Sequence, residues 1–319
     1  MIYLLVLIGL FIIEVAYFKV ADKYNIIDKP NERSSHSSIT LRGGGVIFYF
    51  AALFYFIYSG FQYPYFFLGL TLITLISFLD DILTLSNKIR LSIHLLSVLL
   101  FFYQVDLFSF DWFWIFASLI VTVGTINAYN FMDGINGITV SYSIAVLALL
   151  AITNHYLPFV DPNLIYFSII GAIVFGFFNF RYQAKCFAGD VGSVAMAFII
   201  VFLIGSLIIQ TKNPIFILFL FVYATDTIWT IIRRLFKKEN IFEAHRSHLY
   251  QYLANENQSD KLIVSALYGI IQFLIGCLTL WGVMNFSMQY QIALFLFFTV
   301  FGSLVYLYFK QSLIKKHNL

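Results

Sequence analysis

Charged residues are scarce in this chain, and so are cysteines. Only 11% of the 319 residues are Asp, Glu, Lys or Arg, whereas a soluble globular domain carries roughly 25%. The scarcity of charge excludes an ordinary soluble domain. The two cysteines, Cys186 and Cys277, match no metal-ligand spacing and lie in segments of different character, so they predict neither a disulfide nor a metal site.

Long apolar runs occupy most of the chain, in which 61% of the residues are hydrophobic. At about 20 residues for each crossing of a bilayer, they predict an all-α, polytopic membrane helix bundle with eleven spans. No repeat and no linker divides the chain, so residues 1–319 are predicted to form one transmembrane domain. The predicted spans are 1–21, 44–59, 64–80, 89–105, 112–129, 138–154, 163–180, 193–210, 214–232, 262–284 and 290–309.

The basic residues lie on one side of this predicted bundle. When the spans alternate, every Lys and Arg except Lys212 falls on or beside the same set of loops, which the positive-inside rule places in the cytoplasm. The amino terminus then faces outward. The first run lacks a basic leader and a small-residue cleavage site, so it is predicted to be a retained span. No nucleic-acid signature is present.

Carboxylates cluster at the predicted cytoplasmic ends of the spans. Asp80 and Asp81 end the third span, Asp133 lies in the segment 127–137, and Asp190 lies in Gly189-Asp-Val-Gly-Ser. Carboxylates this close to a membrane tend to mark function or a paired structural role, and hard oxygen ligands suit Mg²⁺ held together with substrate phosphates. Each motif taken singly also fits a solvated helix end, a turn or a helix start.

Glycines and basic residues near the second span suggest phosphate contacts. Arg42 precedes three glycines whose backbone amides could approach an anion, and Arg33 and His36 lie in the polar loop before them. The glycines fit a helix-packing surface equally well.

The longest predicted cytoplasmic loop carries His245-Arg246-Ser247-His248. These side chains can donate to a diphosphate, and the absence of a third His or Cys nearby argues against zinc. Asp226 precedes Arg233 and Arg234 in the ninth span, where either a functional role or an ion pair within the helix fits. Arg90 and His94 share a helical face, which suggests contacts to a lipid phosphate.

Six ordered motifs together resemble the polyprenyl-phosphate N-acetylhexosamine-1-phosphate transferases, a family related to phospho-N-acetylmuramoyl-pentapeptide transferase. The resemblance spans most of the chain and is strongest to the branch that initiates O-antigen or capsular chains. The motifs are 28–36 with Arg42-Gly-Gly-Gly, Asp80-Asp81, Asn130-Phe-Met-Asp-Gly-Ile-Asn-Gly, Gly189-Asp-Val-Gly-Ser, Asp226 before Arg233-Arg234, and His245-Arg-Ser-His.

The resemblance implies transfer of a sugar-1-phosphate from a UDP-sugar to undecaprenyl phosphate, with release of UMP. It also implies Mg²⁺, with Mn²⁺ as an alternative ion, and a multi-pass protein of the inner membrane with its active site on the cytoplasmic side. The expected metal ligands are Asp190, Asp80 and Asp81; the expected catalytic residues are Asp80, Asp81, Asp133, His245 and His248. The expected substrate-binding residues are Arg33, His36, Arg42, Asn130, Asn136, Phe187 and Arg246.

Two departures from the related pattern bear on the choice of reaction. Asn136 stands where the pentapeptide transferase has an aspartate, and Ser247 replaces a histidine of the sugar branch. The pentapeptide transferase reaction therefore remains as an alternative, and a transporter of lipid-linked sugars or anions as a distant one. The sugar and the oligomeric state, a homodimer included, are left open.

Overall fold

The computed structural model describes residues 1–29, 39–83, 85–240 and 245–317, and these form a helix bundle. Two short strands, β1 (Ile27–Asp28) and β2 (Thr40–Leu41), pair antiparallel beside the first helix. The helices are α1 (Ile2–Lys23), α2 (Ile47–Tyr58), α3 (Pro64–Leu83), α4 (Asn87–Gln104), α5 (Trp112–Met132), α6 (Ile138–Tyr156), α7 (Pro162–Asn179), α8 (Gly189–Thr211), α9 (Phe221–Phe236), α10 (Leu249–Gln251), α11 (Lys261–Asn285) and α12 (Met288–His317).

The predicted all-α membrane architecture is confirmed. Within the described ranges, nine helices are long and apolar enough to cross a membrane, one of them formed by a 3₁₀ segment at Pro214–Leu220 that continues into α9. Each of the eleven predicted spans coincides with a helix, but α2 has only 12 residues and α4 begins with polar and basic residues. The count of eleven crossings, the sidedness and the single-domain organisation therefore stay predictions.

Helix α8 forms the centre of the bundle. Every residue from Val191 to Ile204 is buried, as expected for a helix that is apolar on all sides. Helices α2, α3, α5 and α6 pack against it, whereas most of α12 remains exposed and apolar, as a lipid-facing helix would be. Gly189 and Asp190 lie at the start of this buried helix, so the packing of α8 sets their position.

The three glycines of residues 43–45 pack against the start of α8. The amide of Gly44 donates to the carbonyl of Phe187 at 2.9 Å, and that of Gly45 donates to the carbonyl of Ala188 at 3.2 Å. A Cβ at Gly45 would lie 2.4 Å from the Cα of Gly192. For Gly44 and Gly45 the expectation of an anion-binding backbone is therefore wrong, because neighbouring carbonyls occupy both amides; the packing alternative is correct.

Candidate active site

Three helix ends bring carboxylates and arginines together. Asp80 and Asp81 end α3, Arg90 lies in the first turn of α4, and Asp190 lies in the first turn of α8. One guanidinium nitrogen of Arg90 lies 2.6 Å from Asp80 Oδ2, and the other lies 3.5 Å from Asp190 Oδ2. Arg90 therefore links acidic groups of two different helices.

Arg42 makes the second link. Its Nη2 lies 2.7 Å from Asp81 Oδ1 and 3.3 Å from Asp190 Oδ1, and its carbonyl oxygen accepts a hydrogen bond from the Tyr17 hydroxyl at 2.6 Å. Together, Asp80, Asp81, Asp190, Arg42 and Arg90 form what we call the carboxylate–arginine network. Two guanidinium groups thus balance most of the negative charge of three carboxylates.

Asp81 holds the start of α8 in place. Its carboxylate accepts hydrogen bonds from the backbone amides of Asp190 and Val191, both at 3.1 Å, which satisfies amides that a helix start leaves unpaired. The residue before Asp190 has to be small and left-handed: Gly189 has φ +71°, and a Cβ there would lie 2.6 Å from Asp81 Oδ2. The Gly-Asp pair is thereby explained by geometry.

Asp190 is the most open of the three carboxylates. Its side chain is 19% exposed, compared with 10% for Asp80 and 0% for Asp81. Asp80 Oδ1 also accepts from the backbone amide of Leu85 at 2.7 Å. Asp80 and Asp81 would have to exchange these partners to bind a metal ion or accept a proton, whereas Asp190 has only two longer contacts to give up.

Asp133 and Asn130 lie next to this network. Asn130 Oδ1 accepts a hydrogen bond from the Ser193 hydroxyl of α8 at 3.3 Å, and Asp133 accepts one from the Thr139 hydroxyl at 2.6 Å. Asp133 keeps some solvent exposure, yet desolvation of its carboxyl group raises its pKa to about 7, with the charges of Asp190 and Asp81 adding to the rise. Asp133 is therefore poised to exchange a proton near neutral pH.

Residues 245–248, which we call the histidine loop, lie beside Phe131. The His245 and His248 rings lie 5.0 Å apart, and the Phe131 ring lies 6.1 Å from the former and 6.3 Å from the latter. Burial, strengthened by the nearby charges of His248 and Arg234, lowers the pKa of His245 to about 4, so this imidazole is neutral at neutral pH. His248 Nδ1 lies 3.3 Å from the Asp226 carboxylate.

Comparisons with known proteins point to the same helices. Residues 63–208, which contain Asp80, Asp81, Asp133 and Asp190, match the family model described as glycosyl transferase family 4. This match covers slightly less than half of the chain. The resemblance noted in the sequence is therefore confirmed at the level of the family.

The relatives of this chain include two kinds of transferase. A probable undecaprenyl-phosphate N-acetylglucosaminyl 1-phosphate transferase of Bacillus subtilis is 27% identical over 277 residues, covering 78% of this chain and 75% of the relative. An undecaprenyl-phosphate α-N-acetylglucosaminyl 1-phosphate transferase of Escherichia coli K12 is 27% identical, with 74% and 71% covered. A phospho-N-acetylmuramoyl-pentapeptide transferase of Streptococcus pneumoniae is 33% identical, but with only 40% and 45% covered.

The remaining predicted site residues have varied surroundings. Asn136 donates its side-chain amide to the carbonyls of Arg181 at 2.7 Å and Tyr182 at 3.2 Å, so it fastens the segment between α7 and α8. The Phe187 side chain is half-buried, and Arg246 lies 3.7 Å from Glu256. Arg33 and His36 lie outside the described residues, so their expected phosphate contacts stay predictions.

Of the two alternatives for Asp226 of α9, the structure excludes the ion pair within the helix. Asp226 does not pair with Arg233 or Arg234, which instead contact Tyr252 at 2.7 Å and Glu239 at 3.0 Å. Asp226 turns toward His248 and the tyrosines Tyr268 and Tyr306.

Arg90 has a larger role than its sequence position suggested. The expected contact of Arg90 and His94 with a lipid phosphate stays a prediction, and the structure adds that Arg90 binds Asp80 and Asp190. Sequence reasoning also missed Tyr17 and Lys310, because neither belongs to a motif. In the sequence, each is only a polar residue in or directly beside an apolar run.

The carboxylates fit a magnesium ion held in part by a substrate. Among the residues that the structure describes, no group of three or more His, Cys, Asp or Glu side chains is arranged to hold a metal ion. Mg²⁺ commonly needs only one or two carboxylates when substrate phosphates complete its shell. The partly exposed Asp190, flanked by two arginines that can receive phosphate oxygens, suits that arrangement.

Proposed function

We propose that this chain transfers an N-acetylhexosamine-1-phosphate, or its 6-deoxy counterpart, from a UDP-sugar to undecaprenyl phosphate. An oxygen of the lipid phosphate attacks the β-phosphorus that bears the sugar, the bond from that phosphorus to the bridging oxygen breaks, and UMP leaves. The product is undecaprenyl-diphosphate sugar, the first intermediate of an O-antigen, capsule or related cell-wall glycan.

The carboxylate–arginine network is the observation that carries this proposal. Phosphoryl transfer depends mainly on positioning and on balancing the charge of phosphate oxygens. Here two arginines and one accessible carboxylate converge at the ends of three helices. Transport sites, in contrast, are built near the bilayer midplane.

Each residue receives a role from its surroundings. Asp190 is the residue that would hold Mg²⁺, which when bound supplies positive charge to the diphosphate. Arg42 and Arg90 exchange their contacts with Asp190 for phosphate oxygens. The lipid phosphate is already largely ionised near neutral pH because its second pKa is about 6, so Asp80 or Asp133 assists as a base without being indispensable.

The donor nucleotide is assigned to the remaining residues. Asn130 and Phe187 contact the uridine, the latter by stacking, and His245, His248 and Arg246 contact the diphosphate. In this assignment Asp81 acts through the position of α8 and does not touch substrate, because both of its oxygens already accept hydrogen bonds. The site lies on the cytoplasmic face of the inner membrane, as the distribution of basic residues favours.

The share of this chain that its relatives match favours the sugar reaction over the pentapeptide transferase reaction. Two relatives named for N-acetylglucosaminyl 1-phosphate transfer match 78% and 74% of this chain, whereas two relatives named for the pentapeptide reaction match 51% and 40%.

A reconstituted assay tests the proposal. The purified chain in lipid nanodiscs is incubated with undecaprenyl phosphate, Mg²⁺ and each of a panel of UDP-sugars, and UMP release is followed with mass analysis of the lipid product. We expect UMP and a lipid-diphosphate sugar in equal amounts, both lost on adding a chelator. UMP release without the lipid acceptor, or formation only of a pentapeptide-linked lipid, would contradict the proposal.

Paired variants sharpen this test. Asp190→Asn should lower turnover by more than about 100-fold. Asp111→Asn should leave it unchanged, because Asp111 is exposed at the other end of α5 and its side chain makes no cap hydrogen bond. Equal activity of the two variants would remove Asp190 from the site.

A further inference from the structure

A second polar cluster lies buried behind the histidine loop. It joins three helices that are far apart in sequence to His248, and all of its side chains are buried. This Asp226 cluster consists of Asp226 and Thr230 of α9, His248, Tyr268 of α11, and Tyr306 and Lys310 of α12.

Asp226 is surrounded by hydrogen-bond donors. Its Oδ2 accepts from the Tyr268 hydroxyl at 2.8 Å, and its Oδ1 accepts from the Tyr306 hydroxyl at 2.9 Å and the Leu249 amide at 3.0 Å. Because an ionised carboxylate can only accept hydrogen bonds, the nitrogen of His248 that faces it, Nδ1, carries a proton. The other ring nitrogen, Nε2, accepts a hydrogen bond in the neutral imidazole and donates one in the imidazolium.

His248 Nε2 lacks a partner in the described part of the chain. The atom is buried and no hydrogen bond reaches it, a condition that costs roughly 1–3 kcal/mol when nothing satisfies the group. The ring stands beside His245 and Phe131, close to the proposed donor site, and not in the apolar centre of the bundle. An incoming ligand group would satisfy this nitrogen.

Lys310 supplies the positive charge of the cluster. Its ammonium group donates to the Thr230 hydroxyl at 2.5 Å and to the Tyr306 hydroxyl at 2.6 Å. Both hydroxyls in turn donate to Asp226 Oδ1, at 3.3 Å and 2.9 Å. Two hydroxyl groups thus connect the ammonium group of Lys310 to the carboxylate of Asp226. The connection matters because a buried charge without a partner of opposite sign destabilises a fold.

We propose that Lys310 is a positioning residue for His248. Through Thr230 and Tyr306 it balances the charge of Asp226, and Asp226 holds His248 as an imidazolium whose Nε2–H donates to a diphosphate oxygen of the donor substrate. The inference rests on the proposed function, because the donor is assigned there. It extends the site to the last helix, outside the segment that matches the family model.

Lys310→Met tests the inference, because methionine keeps an unbranched apolar side chain and removes the ammonium group. We expect kcat to fall about 10- to 100-fold, by analogy with the range for loss of an outer partner of a metal-binding histidine. KM for the UDP-sugar should change by less than about threefold, because an interaction made mainly in the transition state appears in kcat. Lys310→Arg keeps the charge and should recover most of the loss.

Two comparisons separate positioning from simple destabilisation. Lys315→Met, at an exposed position on the same helix, should retain wild-type kcat. In the double variant Lys310→Met with Asp226→Asn, kcat should fall no further than in the more affected single variant, since both changes break one chain of contacts. All rates are expressed per folded protein, measured by thermal unfolding.

If Lys310→Met does not accumulate in folded form, Tyr306→Phe replaces it. This change removes one hydroxyl bridge and keeps the ring, so kcat should fall about 3- to 10-fold, corresponding to one hydrogen bond. Wild-type kcat in these variants, or losses that multiply in the double variant, would overturn the inference. A wild-type chain inactive with every UDP-sugar would instead overturn the proposed function.

Discussion

Replacing Gly45 by alanine should displace the start of α8 and thereby the active site. The added Cβ would lie 2.4 Å from the Cα of Gly192 and 2.9 Å from the carbonyl oxygen of Ala188, whereas ordinary contacts begin near 3.4 Å. Both neighbours are backbone atoms and cannot rotate away. The two segments must therefore separate by about 1 Å, since packed interiors hold no spare space.

The expected magnitude follows from what that movement breaks. The Asp190 amide lies 3.1 Å from Asp81, so a shift of about 1 Å takes it beyond hydrogen-bonding distance. A misplacement of about 1 Å in a catalytic site can cost about 100-fold in rate, and overpacking costs about 1–3 kcal/mol of stability. We therefore expect Gly45→Ala to lower kcat about 100-fold while most of the protein remains folded.

The assay is UMP release per folded protein in nanodiscs, with thermal unfolding measured on the same sample. Gly124→Ala is the matched control, because Gly124 lies within α5 and a Cβ there would meet nothing within 4 Å; this variant should keep wild-type activity. Full activity in folded Gly45→Ala would refute the claim that contact between these two backbones positions Asp190.

Three further outcomes are expected. Asp190→Asn should lower kcat more than about 100-fold in the UMP assay, because a neutral amide is a poor ligand for Mg²⁺ and balances no charge; activity within tenfold of wild type would contradict this. Arg90→Gln should lower turnover and also lower the Mg²⁺ concentration for half-maximal activity by about fivefold, because a competing positive charge beside Asp190 is removed; an unchanged Mg²⁺ titration would exclude that competition. Burial raises the pKa of Asp133 from 3.8 to about 7. Between about pH 4 and 7 the carboxyl group is therefore protonated in the folded state and ionised in the unfolded state. The free energy of unfolding falls as the pH rises through this range. The melting temperature of the substrate-free wild type should therefore fall over that range relative to Asp133→Asn, and parallel pH curves would show that the carboxyl group is not desolvated.

The membrane architecture was predictable because its signal is local. Apolar runs predict helices wherever a bilayer must be crossed, and each predicted run coincides with a helix, although α12 continues to His317, beyond the predicted end at 309. The ends of α3, α5 and α8 could also be assigned to one side, because alternate crossings and the positive-inside rule fix the side on which each loop lies. Asp80, Asp133 and Asp190 were therefore correctly placed at the same end.

The pairing of charges could not be predicted. Arg42 and Asp190 are separated by 148 residues, and nothing in the spacing of either motif shows that one guanidinium group links Asp81 to Asp190. The same holds for the glycines at 44 and 45, for which an anion-binding backbone and a packing surface fitted the sequence equally well. The carbonyls of Phe187 and Ala188 decide between these alternatives.

The sequence by itself determined that this chain is a membrane helix bundle with acidic motifs at one end, because hydrophobic length and charge are properties of short segments. Only the tertiary structure decided that Asp81 fixes the start of α8, that Arg90 joins two carboxylates, and that Lys310 of the last helix reaches the cluster around His248. The physical reason is that these functions depend on distances of about 3 Å between groups on different helices, and such distances are set by how the helices pack.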